Sequence, residues 1–155
     1  MAKSAKPVPE GFHTVTPYLV VKGADKAIEF YGRAFGARES YRMPGPGGGI
    51  LHAEVVIGGS KVLLCDEDPA MGGKSPETLK GSPVSLLLYV TDVDGAFQKA
   101  VSAGAQVKMP VADMFWGDRF GVVTDPFGHD WQIATHKEDL TPEEMGQRAA
   151  AAFGG

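Results

Sequence analysis

The sequence has little of several features that would assign it to a special class of protein. It has a single cysteine, Cys65, so no disulfide forms within the chain, and this usage suits a reducing compartment. Basic residues are in no excess, because the formal net charge is −4 and the lysines and arginines are scattered, which argues against a nucleic-acid-binding face. No apolar run is long enough to span a bilayer, and residues 7–10 (Pro-Val-Pro-Glu) interrupt any readable signal peptide. We therefore expect a cytoplasmic protein that binds neither nucleic acid nor a membrane.

The composition that remains is that of an ordinary globular domain with many turns. The chain has 155 residues, of which 43% are hydrophobic and 22% charged, and this is enough to bury a real core. Its 21 glycines predict tight turns between short strands.

The hydrophobic pattern predicts one order of elements, strand, helix and three strands, which occurs twice. The first set comprises a strand at 14–21, a helix at 24–35, and strands at 38–43, 50–57 and 61–65. The second set comprises a strand at 84–90, a helix at 94–103, and strands at 106–111, 119–124 and 130–135. Ile28 matches Phe97 and Gly59 matches Gly128, each at a shift of 69 residues, which indicates an internal repeat.

The repeat defines a predicted domain organisation. Residues 1–13 are an N-terminal arm, and residues 14–140 are a single domain of two modules, 14–66 and 84–136, joined by a linker at 67–83. Residues 141–155 are a C-terminal helix and tail, which begins with a capping box. The predicted fold class is α+β: two tandem βαβββ modules with helices outside and curved mixed sheets that enclose a cavity.

Four segments give the chain a family resemblance. Residues 16–19 (Thr-Pro-Tyr-Leu) lead into 28–31 (Ile-Glu-Phe-Tyr), residues 115–119 are Phe-Trp-Gly-Asp-Arg, and residues 125–129 are Asp-Pro-Phe-Gly-His. The sequence resembles the vicinal-oxygen-chelate superfamily, which includes glyoxalase I, extradiol dioxygenases and bleomycin-resistance proteins, and within it the PhnB-like branch. The resemblance implies paired βαβββ modules and a homodimer.

The resemblance also implies four positions for a metal ion, which are Thr16, Leu63, Ser85 and Gln132. Divalent transition ions prefer imidazole, carboxylate or thiolate ligands, and none of these four side chains is one of them. We therefore expect no metal and no other cofactor, and a mixed polar and apolar floor suited to an organic ligand.

Strand alternation predicts further cavity-facing residues. Within 50–57 it leaves His52 and Glu54 on the cavity side, and the repeat predicts Arg119 on the matching face. These three can act as base, orienting group and anion anchor, or the polar pair can form a cross-strand network or an interface. Tyr18, Tyr89 and Trp116 can stack on a planar ligand, although aromatic residues at strand spacing also form ordinary core. The predicted ligand-binding set is Thr16, Tyr18, His52, Glu54, Leu63, Ser85, Tyr89, Trp116, Arg119 and Gln132.

Three functions fit these features. The first is a protein that binds or sequesters a small organic compound without the family metal. The second is a metal-dependent lyase or isomerase of the glyoxalase I type, with ligands supplied from elsewhere, such as His52 and Glu54. The third is a metal-independent enzyme with His52 or Glu54 as general base. Catalysis is thus left open, and we interpret Cys65 as a buried, inert thiol and His129 and His136 as turn or surface residues.

Overall fold

The computed structural model describes residues 5–154 and contains the predicted elements in the predicted order. The N-terminal elements are β1 (Tyr18–Val21), α1 (Ala24–Phe35), β2 (Arg38–Pro44), β3 (Ile50–Ile57), β4 (Ser60–Asp66) and α2 (Pro76–Leu79). The C-terminal elements are β5 (Ser85–Tyr89), α3 (Val93–Ala103), β6 (Gln106–Asp113), β7 (Asp118–Thr124), β8 (Asp130–His136) and α4 (Pro142–Phe153). Short 3₁₀ turns lie at Pro46–Gly48 and Pro69–Met71. None of the helices within residues 5–154 combines the length and apolarity needed to cross a membrane.

The chain divides into two compact units, one that ends at Gly81 and one that begins at Ser82. In the N-terminal unit the sheet order is β1-β4-β3-β2, with β1 parallel to β4 and the other pairs antiparallel. Alternate strand residues such as Leu19, Val55 and Leu64 are buried. Helix α1 packs on this apolar face through contacts with β1, β3 and β4. The buried side chains of α1 repeat at helical spacing and form its contact surface.

The ends of α1 are fixed by side-chain and backbone caps. Asp66 of β4 accepts hydrogen bonds from the backbone N–H groups of Gly23 and Ala24 at 2.9 and 2.8 Å, which satisfies two free donors at the helix N-terminus. Gly36 adopts φ 68° at the other end, as the sequence predicts for a glycine that closes a helix.

The C-terminal unit repeats this architecture. Its sheet order is β5-β8-β7-β6, again with one parallel pair. Val123, Trp131 and Ile133 are fully buried on the face that α3 covers. The indole of Trp131 donates to Asp125 at 2.9 Å, so its polar atom is satisfied in the core.

Helix α4 begins at the predicted capping box. Thr141 Oγ1 accepts from the backbone N–H of Glu144 at 3.2 Å, and the Glu144 carboxylate accepts from the backbone N–H of Thr141 at 2.9 Å.

The strand registers confirm the internal repeat and refine it. Tyr18 lies opposite Leu63 in the N-terminal sheet, and Leu87 lies opposite Gln132 in the C-terminal sheet, so both positions shift by 69. On the third strand the shift is 68, because Glu54 faces Leu63 where Val122 faces Gln132. The prediction of an α+β fold with two four-stranded mixed sheets is confirmed.

Two details differ from the sequence-based prediction. Strand β1 begins at Tyr18 rather than at residue 14, because cross-strand bonding starts where Leu63 N donates to the Pro17 carbonyl at 2.9 Å. The segment 67–83, predicted as a plain linker, contains a 3₁₀ turn and the short helix α2, where Ser75 Oγ accepts from Thr78 N at 3.3 Å. The interpretation of residues 14–140 as one domain stays a prediction.

Candidate functional site

The sheet face opposite α1 in the N-terminal unit carries four of the ten predicted ligand-binding residues. Tyr18, Leu63 and Glu54 are direct neighbours across β1, β4 and β3, and His52 lies two residues before Glu54 on the same face. We call this face, defined by Tyr18, Tyr41, His52, Glu54, Lys61 and Leu63, the N-terminal open face. The structure therefore brings together four predicted site residues: Tyr18, His52, Glu54 and Leu63.

A chain of polar contacts crosses this face. The Tyr18 hydroxyl and His52 Nδ1 are joined by a 2.7 Å hydrogen bond, and His52 Nε2 lies 3.7 Å from Glu54 Oε1. Glu54 Oε2 in turn accepts a 2.8 Å hydrogen bond from Lys61 Nζ. Burial first, and the Cys65 thiol second, raise the pKa of Tyr18, so its hydroxyl keeps its proton and can donate to His52.

Lys61 fixes the charge of Glu54. The hydrogen bond from its ammonium is the main cause that lowers the pKa of Glu54, which is therefore a carboxylate at neutral pH. The Lys61 ammonium also lies 4.4 Å from the centroid of the Phe12 ring, a cation–π contact from the predicted arm. Sequence reasoning missed Lys61, although it has the same strand parity as Leu63.

Three aromatic rings lie side by side on the N-terminal open face. His52 lies between Tyr18 and Tyr41, with ring centroids 5.5 and 6.1 Å away and tilted planes. Both tyrosines are about half exposed, at 49% and 45%. Sequence reasoning also missed Tyr41, because a register shift between Glu39 and Tyr41 changes which β2 residues lie on this face.

An open pocket of about 590 Å³ adjoins these residues within the same unit. Its lining includes Tyr18, Leu51, Cys65 and Met71, with the glycine-rich segment 45–49 on one side. Cys65, predicted as a buried thiol, is only partly buried and lines this pocket. Burial raises the pKa of Cys65, which favours the protonated thiol at neutral pH.

The corresponding face of the C-terminal sheet holds four more predicted residues, Ser85, Tyr89, Trp116 and Gln132. Gln132 Nε2 donates to Ser85 Oγ at 3.0 Å, and Tyr89 lies on the same face two strand positions along β5 from Leu87. We call this face, defined by Ser85, Leu87, Tyr89, Trp116, Asp118 and Gln132, the C-terminal open face.

Asp118, which the sequence analysis did not select, organises one end of the C-terminal open face. It is 5% exposed, and its Oδ2 accepts from Tyr89 Oη at 3.0 Å and from Trp116 Nε1 at 3.2 Å. Its Oδ1 lies 2.7 Å from His136 Nδ1, and the other imidazole nitrogen lies 2.8 Å from Asp139. The bond to Asp118 first, and the bond to Asp139 second, raise the pKa of His136.

Arg119 lies on the face opposite to the predicted one. Its guanidinium makes two 2.8 Å hydrogen bonds to the carboxylate of Asp94 in the first turn of α3, and another of 3.2 Å to Asp113. The prediction is wrong because the third strands match at a shift of 68, which makes Arg119 the counterpart of Leu51. Because strand residues alternate, one residue of shift moves a side chain to the other face.

The four positions that the resemblance implies for a metal carry side chains that are weak ligands or none. Thr16 lies before β1 and its hydroxyl donates to the His13 carbonyl at 3.2 Å, while Leu63 offers only an alkyl group. Ser85 and Gln132 hydrogen bond to each other, and neutral hydroxyl and amide groups are weak ligands for transition ions. Across residues 5–154 there is no group of three or more His, Cys, Asp or Glu side chains placed to hold a metal.

Comparison with known proteins identifies the family of this chain. The chain belongs to the Glyoxalase/Bleomycin resistance protein/Dioxygenase superfamily, whose family model matches residues 11–133. The resemblance identified in the sequence is therefore confirmed. A relative from Mycobacterium bovis, described as uncharacterized, is 48% identical over 134 residues, which are 84% of this chain and 88% of that protein.

Solved structures have the same fold. A gene product of Arabidopsis thaliana is 35% identical with a TM-score of 0.63, over 79% of this chain and 98% of that one. TioX from Micromonospora sp. ML1 is 29% identical with a TM-score of 0.63, over 80% of this chain and 98% of that one. A PhnB protein from Bacillus cereus, with a TM-score of 0.63 and 19% identity over 79% of this chain and 99% of that one, shares the fold alone.

Proposed function

We propose that this protein binds a small planar organic compound on the N-terminal open face and beside it, without a metal ion at the family positions. The observation that carries the proposal is the half-exposed row of Tyr18, His52 and Tyr41. Aromatic faces in such a row stack on planar ligands, and the adjoining pocket gives room for one.

Polar groups next to the row supply orientation. The hydrogen bond between Tyr18 and His52 uses Nδ1 and leaves Nε2 directed toward Glu54 Oε1, 3.7 Å away. This distance is too long for a strong hydrogen bond, so a ligand atom can compete for Nε2. Glu54 keeps its negative charge through Lys61, which favours ligands that donate a hydrogen bond there.

The experiment is a binding screen of planar aromatic compounds by thermal shift, followed by calorimetry on the compounds that stabilise the protein. Tyr18→Ala should weaken binding by about ten-fold or more, because it removes both a stacking ring and a hydrogen bond. Tyr18→Phe, which keeps the ring, should weaken it by about five-fold, the equivalent of one hydrogen bond.

A matched control distinguishes the loss of His52 from the general effect of replacing a histidine. His52→Gln should weaken binding, whereas His13→Gln changes an exposed histidine outside the open face and should leave affinity unchanged. If no compound in the panel binds, or if Tyr18→Ala and His52→Gln bind as tightly as the wild type, the proposal is wrong.

A metal-independent enzyme is the second candidate. The 2.7 Å Tyr18–His52 bond favours it in the tautomer in which His52 Nδ1 donates to the Tyr18 hydroxyl, because Nε2 then has a free lone pair and can act as a general base. The lowered pKa of Glu54 makes that carboxylate a weak base, so His52 is the better candidate of the two. Incubation of a bound compound with the protein, followed by mass spectrometry, separates catalysis from binding. An enzyme would convert the compound, and His52→Gln would abolish conversion while it weakens binding only several-fold.

A metal-dependent lyase is the third candidate and has the least support. His52 and Glu54 are the only pair suggested for its ligands, and Glu54 is already bonded to Lys61. Stoichiometric Zn²⁺ or Ni²⁺ in protein dialysed after purification without chelators would favour this candidate over the other two.

A further inference from the structure

A buried carboxylate lies behind two predicted ligand-contacting residues in the C-terminal unit. Asp118 accepts hydrogen bonds from Tyr89 of β5 and from Trp116 in the turn before β7, and contacts His136 at the end of β8. These donors come from three separate segments, so one side chain fixes the relative positions of both aromatic rings.

We propose that Asp118 is a positioning residue, which holds Tyr89 and Trp116 in place on the C-terminal open face while His136 is protonated. The proposed ligand site is on the N-terminal open face, so this inference goes beyond it. The effect of Asp118 on the two side chains can be measured without a ligand.

The argument depends on the charge around Asp118. A carboxylate that is 5% exposed needs a counter-charge, because an unpaired buried charge is strongly destabilising. Tyr89 and Trp116 face it as neutral donors, and Asp139 adds negative charge beyond His136. Of the cations that neighbour Asp118 and His136 in the chain, Arg119 is bonded to Asp94 and Asp113, and Lys137 acts electrostatically on Asp94. Within the part of the chain that the structure describes, His136 is thus the cationic group in contact with Asp118.

The protonation state of His136 determines whether it can donate hydrogen bonds to both Asp118 and Asp139 or to only one of them. The imidazolium donates from both ring nitrogens, to Asp118 at 2.7 Å and to Asp139 at 2.8 Å, whereas neutral imidazole has one N–H. Since both bonds raise the pKa of His136, their stabilisation is complete below the ordinary histidine pKa and is lost as the pH rises through the raised folded value. Above that pH neutral His136 has one N–H for two carboxylates, so Asp118 loses its counter-charge and the hydrogen bonds that it accepts from Tyr89 and Trp116 change.

The experiment uses the indole N–H resonances in ¹⁵N-edited NMR spectra of the full chain. The sequence has two tryptophans, and Trp131 is an internal control because its indole bonds to Asp125 instead. In a titration from about pH 5 to pH 9, the Trp116 resonance, assigned with Trp116→Phe, should move with the same midpoint as the His136 imidazole. The Trp131 resonance should not follow that midpoint.

Variants separate the cause from a general pH effect. His136→Gln should leave the Trp116 resonance constant over the same range, and Asp118→Asn should abolish its pH dependence and lower the His136 midpoint. Asp139→Asn is the matched control: it removes the exposed carboxylate, so it should lower the midpoint while the Trp116 resonance still moves with it. If Asp118→Asn does not fold, His136→Gln alone decides the test.

Two results would overturn the inference: a Trp116 resonance that ignores the His136 titration in the wild type, or one that still titrates in His136→Gln. If no compound binds, the proposed function fails while the NMR titration still decides the role of Asp118.

Discussion

The close contact between Gly121 and Phe97 gives a sharp test of the C-terminal packing. Gly121 lies in β7, and a Cβ added there would be 2.8 Å from Phe97 Cε2 and 3.0 Å from Val111 Cγ2. Both neighbours belong to the layer between α3 and the sheet, and Phe97 is only 9% exposed. The steric clash in Gly121→Ala should therefore lower the free energy of unfolding by about 1–3 kcal/mol. The alanine also restricts the unfolded chain, which offsets up to about 1 kcal/mol of this loss.

Urea denaturation followed by circular dichroism measures this free energy. Phe97→Ala alone should cost about 3–5 kcal/mol, whereas Phe97→Leu should cost less in the Gly121→Ala background than in the wild type, with a coupling of about 0.5–3 kcal/mol. Gly146→Ala is the matched control, because nothing lies within 4 Å of a Cβ at that position in α4, and it should stabilise by about 0.5–1 kcal/mol. A Gly121→Ala variant as stable as the wild type, or Phe97→Leu costs that are equal in both backgrounds, would refute the packing argument.

Three further outcomes are expected. Lys61→Met should lower the free energy of unfolding by about 1 kcal/mol at neutral pH. This loss should vanish as the pH falls through the lowered pKa of Glu54, because the Lys61–Glu54 pair stabilises the fold only while the carboxylate is charged. Urea titrations at several pH values measure it. Gly117→Ala should lower the free energy of unfolding by about 2 kcal/mol or more in the same assay. Gly117 has φ 98°, and a Cβ there would lie 2.6 Å from the Glu138 carbonyl oxygen, whereas Gly146→Ala introduces no such strain. The protein should be a homodimer at micromolar concentration by light scattering, because exposed apolar residues such as Leu87 lie on open sheet faces that a partner can cover; a monomer would contradict this.

The element order was predictable because it depends on local patterns. Helix α1 begins and ends at the predicted residues, since Gly36 supplies the left-handed conformation that ends it. The strand start at Tyr18 was not predictable in this way. Residues 14–16 have β-branched side chains, but the hydrogen bonds that make a strand begin only at the Pro17 carbonyl.

The site was predictable only as far as strand parity allows. Alternation found His52 and Glu54 on one face, but it could not show that Lys61 sets the charge of Glu54, because that contact depends on the register between β3 and β4. Asp118 was missed for a related reason: a lone aspartate at a strand start gives no signal until three segments converge on it. Arg119 was misplaced because one residue of difference in the repeat is invisible in a weak sequence match.

The corrected repeat shows that the two open faces differ in chemistry at equivalent positions. At the shift of 68 that applies to the third strand, His52 corresponds to Phe120 and Glu54 to Val122. The N-terminal strand thus presents an imidazole and a carboxylate where the C-terminal strand presents two apolar side chains. Neither His52 nor Glu54 is in the buried core of its unit. Contacts with Tyr18 and Lys61 hold these two polar groups in defined positions, as the proposed ligand site requires, and this is the reason to direct the first variants at the N-terminal open face.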